Sequence, residues 1–159
     1  MAIFLHIDGV KGGVSAQGHE GAIAISSIQH SFQQSVSMPV GRPQDRVRSK
    51  PKFSQVILTK TMDSATNSLL NYAYSGKVIP QVECQVASTG DKLSVVAKYI
   101  FKNVIIARYE TVVGAHGGPI ETLAMHFTKM ESTYLGRDAQ NKMSSPQVTG
   151  YNLETADVM

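Results

Sequence analysis

Apolar and polar residues alternate with a period of two along most of this chain, and that period changes once. "AIFLHI" (Ala2 to Ile7) is rich in β-branched and aromatic residues and predicts a strand, followed by the turn-forming "DGVKGGVSAQG". In "GAIAISSIQHSFQQS", Ile23 and Ile25 share one parity, whereas Ile28, His30 and Phe32 share the other. A one-residue shift sends side chains to the opposite face, so this switch predicts a bulge or bend near Ser26-Ser27. "SQVILTKT" continues the strand pattern, and "QVECQVAS" places Val82, Cys84 and Val86 on one side before a turn at "TGDK". "LSVVAKYIFKNVIIARYET" is too long for one straight strand, which predicts a break around Lys102-Asn103. After the loop "VGAHGGP", Leu123, Met125 and Phe127 alternate; the polar "GRDAQNKMSSPQ" then precedes a short last strand in "VTGYNL".

The exception is "LTKTMDSATNSLLNYAYSGKV". Ala65, Leu69 and Ala73 recur every four residues with Leu70 and Tyr74 beside them, the stripe of an amphipathic helix. Asp63 and Ser64 are suited to its N-cap, and Gly76 to the position just past its end. Lys77 sits near the negative end of its dipole. On this reading Tyr72, Thr66, Asn67 and Asn71 face away from the body. Many strands with hairpin turns, one short helix and no βαβ rhythm predict an all-β barrel or sandwich, with the helix at an open end or outside.

The 159 residues suit a single domain, 1–159, with 42% hydrophobic residues to fill a core. No run of eighteen apolar residues occurs, so no membrane insertion is expected, and the N-terminus lacks the basic lead of a secretory signal peptide. Cys84 is the only cysteine, so an intrachain disulfide is impossible and a reducing cytoplasm is the expected site of folding. Charged residues make up only 17% of the chain, which fits a surface partly covered by copies of itself.

Catalytic and metal chemistry find little support. His6, His19, His30, His116 and His126 form no H-x-x-x-H pair; His19-Glu20 opens an H-E-x-x-H, but Ile23 stands where the second histidine belongs. "GVSAQ" lacks the second glycine of a nucleophile elbow and leads into no helix. Cys84 on an alternating strand reads as a small buried apolar residue. Asp8, Glu20 and Asp63 sit in turns or caps, where carboxylates bond locally. "VGAHGGP" lacks the Lys-Ser/Thr of a phosphate-binding loop. No enzyme and no cofactor is expected.

The segment Val36 to Phe53 is the most distinctive. Pro39, Pro43 and Pro51 rule out a central strand or a helix there. Arg42, Arg46, Arg48, Lys50 and Lys52 face Asp45 alone, so a contact with carboxylates of another subunit is one reading. An anion or nucleic-acid module using the basic loop Arg42 to Lys52 is the alternative, although only Phe53 offers a stacking ring.

Several pieces in order resemble the haemolysin-coregulated proteins (Hcp), the tube-forming subunits of bacterial type VI secretion systems. They are the opening "MAIFLHIDGVKGGVSAQGHEGAIAISSIQHS", the "LTKTMDSATNSLLNYAYSGK" with its T-K-x-x-D, "PIETLAMHFTKMESTY" and "VTGYNLETA". Many members carry a proline within the segment that here reads "SATNS", a difference that bears on how the helix begins. The resemblance implies a β-barrel of two antiparallel sheets with a helix packed at one side. It further implies six copies closing into a ring and rings stacking into a tube inside a contractile sheath, with a spike protein at the tip and small effector proteins in the lumen. On that basis Met38, Arg42, Arg46, Arg48, Lys50 and Lys52 are assigned to contacts between subunits or rings. Ser27, Gln29 and Ser31 are assigned to the lumen. The protein would be cytoplasmic first and then secreted through its own machine, without nucleic acid as a partner.

Overall fold

The computed structural model describes every residue except 38, 42–46, 91 and 137–143. The first strand, β1 (Ala2–Ile7), leads through a loop to β2 (Ile23–Ile25) and β3 (Ser27–Gln29). Four two-residue strands follow: β4 (Phe32–Gln33), β5 (Val36–Ser37), β6 (Val47–Arg48) and β7 (Lys52–Phe53). Next come β8 (Val56–Thr61), the helix α1 (Thr66–Ser75), β9 (Ile79–Thr89) and the twenty-residue β10 (Leu93–Val112). The chain ends with β11 (Ile120–His126), β12 (Lys129–Tyr134), β13 (Gln147–Asn152) and β14 (Asp157–Val158).

All strand pairings are antiparallel. One layer runs β14-β13-β12-β10-β9-β1-β2, the other β10-β11-β8-β3, so β10 belongs to both. It does so by breaking where the sequence predicts. Lys102 still pairs with β12, Asn103 takes a left-handed φ of 53°, and from Ile105 onward the partner is β11. An asparagine tolerates that conformation better than most residues, and its side-chain amide donates to Thr128 Oγ1 at 2.9 Å. The second corner is at Ser26: β2 pairs with β1, β3 pairs with β8, and Ser26 N–H donates to the Thr59 carbonyl at 2.7 Å. The parity switch is thus a change of layer. Among the described residues the ladder does not close between β2 and β3; the chain itself bridges that seam.

The core lies between the layers and collects one parity from each strand: Leu5, Ile23, Ile25, Leu58, Val82, Cys84, Phe101, Val104, Leu123 and Met125 are all buried. Phe127 continues the alternation of β11 and meets Phe101 with ring centroids 5.2 Å apart. Burying such side chains contributes about 1.5–3 kcal/mol each before chain entropy is subtracted, and this drives the layers together.

Helix α1 packs beside β10. Its N-cap position is Ala65, without a side-chain cap, in place of the expected Asp63 or Ser64; the turn before it is held reciprocally, Ala65 N–H donating to Asp63 Oδ1 at 3.0 Å and Asp63 N–H to Thr66 Oγ1 at 3.1 Å. Gly76 ends it in the left-handed conformation, φ 62°, as its position predicts. Ser64 turns away and donates to the Lys11 carbonyl. The orientation differs from the expected stripe. Ala65 and Leu69 are buried, but the next inward residues are Tyr72 and Ala73, while Tyr74 is 81% exposed. Thr66, expected on the outer face, is buried because its hydroxyl donates to Glu121. Lys77 lies over the Tyr72 ring, 5.9 Å from its centroid.

Candidate functional site

The described residues between β3 and β8 form an arm of short strands, where the prolines suggest an irregular loop. Among the described residues strand β4 pairs only with β7, and β5 only with β6, a two-step ladder separate from the main sheet. Ser49 N–H donates to the Ser35 carbonyl and Ser54 N–H to the Ser31 carbonyl, each at 2.9 Å. Gln34 Nε2 and the Ser35 amide add bonds to Ser49. Phe53 anchors the base, its ring centroid 5.0 Å from Tyr151, 5.7 Å from Phe32 and 6.0 Å from Phe127. Farther out the arm exposes what a folded subunit normally hides: Val36, Val40 and most of Phe32.

Arg48, Lys50 and Lys52 are exposed on the returning side of this arm and have no ion-pair partner among the described residues. Met38, Arg42 and Arg46, assigned to the same contact, lie outside the described residues. Between the arm and the β13-β14 edge runs a groove of about 710 Å³, lined among others by His30, Phe32, Phe53, Tyr99, Tyr151 and Arg48. His30 sits edge-on to Tyr99 with centroids 5.1 Å apart, and burial pushes its pKa below the ordinary histidine value. The groove is aromatic on its floor and cationic at its rim.

Ser27 and Gln29 lie exposed on one face of β3, while Ile28 between them packs on the core. The alternation persists past the strand: His30 turns toward Tyr99, and Ser31 is exposed with its carbonyl bonded to the arm. The three residues assigned to the lumen therefore share one parity and one exposed strip.

Sequence reasoning missed a buried polar cluster at the helix start. Lys60 and Glu121 are direct cross-strand partners in β8 and β11. Lys60 Nζ donates to Glu121 Oε2 at 2.7 Å and to the Thr61 carbonyl at 2.8 Å, and pairs with Asp63 Oδ1 at 2.8 Å. Thr66 Oγ1 donates to the same Glu121 oxygen at 3.1 Å. Burial alone would raise the Glu121 pKa, but the bonds from Lys60 and Thr66 and the lysine charge outweigh it, leaving the carboxyl below its usual range. Burial and the neighbouring Glu121 push the Tyr109 phenol upward. The one available signal was the T-K-x-x-D spacing, which is this Lys60–Asp63 pair.

Nothing in these groups assembles a nucleophile and base. Cys84 is buried in the core, with its thiol pushed up to about 12 by burial, so it is no ready thiolate. Among the described residues no three His, Cys, Asp or Glu side chains converge as metal ligands. The distinctive geometry is that of surfaces: an arm, a rimmed groove and open sheet edges.

Comparison with known proteins accords with that geometry. A search of curated protein sequences finds no match. Among solved structures, one of a type six secretion system protein superposes with a TM-score of 0.91 at 23% identity, covering 99% of both chains. Hcp1 from Salmonella typhimurium gives 0.81 at 23% identity, covering 99% of this chain and 98% of that one. A type VI secretion system effector from Yersinia pestis gives 0.68 at 22% identity, covering 94% and 98%. At these identities the likeness speaks to the fold. The family described as "Type VI secretion system effector, Hcp" matches residues 4–134, which is most of the sequence and includes the arm and the buried cluster. This chain belongs to the Hcp family of type VI secretion system proteins.

Proposed function

We propose that the chain is the structural subunit of the type VI inner tube. Six copies close into a ring, rings stack into a tube, and the expelled tube carries small effector proteins in its lumen. The observation that carries this reading is the arm, in a chain that belongs to the Hcp family. It holds Phe32, Val36 and Val40 exposed beside Arg48, Lys50 and Lys52, an apolar strip with cations at its border. That is the composition of an interface awaiting its partner. A heterologous contact of this kind, reaching from one copy to a different surface of the next, closes as a ring or continues as a filament.

In this reading Met38, Arg42, Arg46, Arg48, Lys50 and Lys52 contact the adjacent subunit or ring, and Arg side chains supply forked bonds to carboxylates. Ser27, Gln29 and Ser31 face the lumen and meet the effector. The spike at the tip and the surrounding sheath are the other partners, and the subunit is made in the cytoplasm before it leaves with the tube. A tagged chain expressed in a bacterium with a working type VI apparatus tests this. Its release into the medium should stop when sheath contraction is disabled. Release that persists without the sheath argues against the proposal.

A further inference from the structure

We propose that His6 and His19 form a proton-operated latch, closing the loop 11–22 over the outer face of β1 at neutral pH and releasing it in acid. His6 lies on β1 with the outward parity, between buried Leu5 and Ile7. His19 reaches it from the loop, with Nδ1 of His19 and Nε2 of His6 3.4 Å apart. His19 is 6% exposed and stacks on Phe4 at 4.2 Å between centroids. Beneath the loop, Phe4, Ala22 and Ala87 form a small apolar cluster separate from the main core, against which Val14 and Ala16 pack. The loop's own bonds run from the amides of Gly12, Val14, Gly21 and Ala22 to carbonyls within it. It is a compact cap that the imidazole contact ties to β1, while the Ser64 hydroxyl holds its first residue through the Lys11 carbonyl.

That contact is built for a proton. The centroids stand 5.6 Å apart for a 3.4 Å nitrogen separation, so the rings point nearly head-on. One nitrogen must donate and the other accept. Rings converging on a metal would tilt toward a common point, and no third ligand is present among the described residues. A first added proton goes to an outer nitrogen and leaves the bond intact. A second forces two N–H groups and two charges against each other and breaks the contact.

The surrounding charges are few. Glu83 is the cross-strand partner of His6, but Lys98 pairs with its carboxylate at 3.0 Å and Gln85 donates to it. Glu20, beside His19, is exposed and accepts from the Gly18 amide. Burial holds the His6 pKa below its usual 6.5, with Glu83 opposing and His19 and Lys98 adding to the depression. The open loop, with His6 freed, therefore binds more protons than the closed one below about pH 6.5, and acid favours opening. One extra proton bound on opening raises the opening equilibrium about tenfold per pH unit.

Amide hydrogen exchange on the whole protein, corrected for the intrinsic pH dependence of exchange, reads this directly. Between pH 7 and pH 5.5 the Gly12, Val14, Gly21 and Ala22 amides should lose protection several-fold, up to about eightfold for one extra proton on an imidazole of ordinary value about 6.5. The Leu69 amide, bonded to Ala65 inside the helix, should not change. His6→Gln should remove most of that pH response. Unchanged loop protection, an equal response in His6→Gln, or parallel loss at Leu69 each overturns the latch. If His6→Gln does not fold, imidazole NMR titration of the unmodified protein decides. A His6 midpoint below its usual 6.5 that coincides with the loss of loop protection supports the latch, and a His6 midpoint at the ordinary value contradicts it.

Discussion

Lys60 Nζ lies 2.7 Å from Glu121 Oε2 and 2.8 Å from Asp63 Oδ1, and the Lys60 and Glu121 side chains are wholly buried. One ammonium thus ties β8, β11 and the start of α1 together inside the protein. Removing one partner of such a pair leaves an uncompensated charge, whereas replacing both with apolar groups of similar size is often neutral. Lys60→Met should therefore cost about 3–5 kcal/mol in urea unfolding, and Lys60→Met with Glu121→Leu should recover most of the loss. A double variant as unstable as the single would show that the cluster acts through packing alone.

The same carboxylate makes stability depend on acid. Glu121 is held below the ordinary glutamate value of 4.5, so the unfolded chain binds its proton first as pH falls. Its contribution is complete above pH 4.5 and disappears as pH drops through the folded value. The melting temperature should fall over that window, and Glu121→Gln should be less stable at pH 7 yet show a flatter acid limb. Equal acid slopes in the two proteins would assign the effect to other groups.

Gly12 marks a close approach of two backbone segments. A Cβ there would stand 2.3 Å from the Ala22 carbonyl oxygen and 2.6 Å from Ile23 Cα, main-chain atoms that cannot rotate away. Gly12→Ala should displace the loop from β2 and cost about 1–3 kcal/mol in chemical denaturation. A stability equal to the parent protein would mean that the loop shifts freely. By contrast Gly13→Ala, with nothing near its added methyl, should be tolerated.

In the proposed tube the arm carries assembly and leaves folding to the rest of the subunit. Arg48 and Lys50 are exposed, so reversing both charges should change subunit stability by less than about 0.5 kcal/mol. In Arg48→Glu with Lys50→Glu, stacking should be lost while the far-ultraviolet circular dichroism spectrum and thermal melt stay those of the parent. Unaltered stacks, scored by electron microscopy, would remove these cations from the contact.

Much of this architecture was legible because one face of each strand is buried. Val82 and Cys84 announce their face by alternation, and the parity slip at Ser26 marks the corner where the chain changes layer. Asn103 was legible as a break because twenty strand residues exceed what one layer accommodates. Apolar spacing did not orient the helix. Leu69 is compatible with an inward Tyr72 or an inward Tyr74, and the choice falls on Tyr72 partly because Thr66 turns inward to Glu121, 55 residues away. Long-range pairings of this kind, like His6 with His19 or Lys60 with Glu121, leave no local pattern. The arm was hidden differently, since its prolines and charges mask two-residue strands that pair only with each other. Strand β14 at the outer edge was missed for the same shortness.

Native mass spectrometry of the purified chain, with negative-stain images of the same sample, tests the ring most directly. The expected result is a mass of six subunits and a closed ring with a central hole, extending into stacks as concentration rises. A chain that stays monomeric at high concentration, with no ring in the images, would contradict the tube-subunit account.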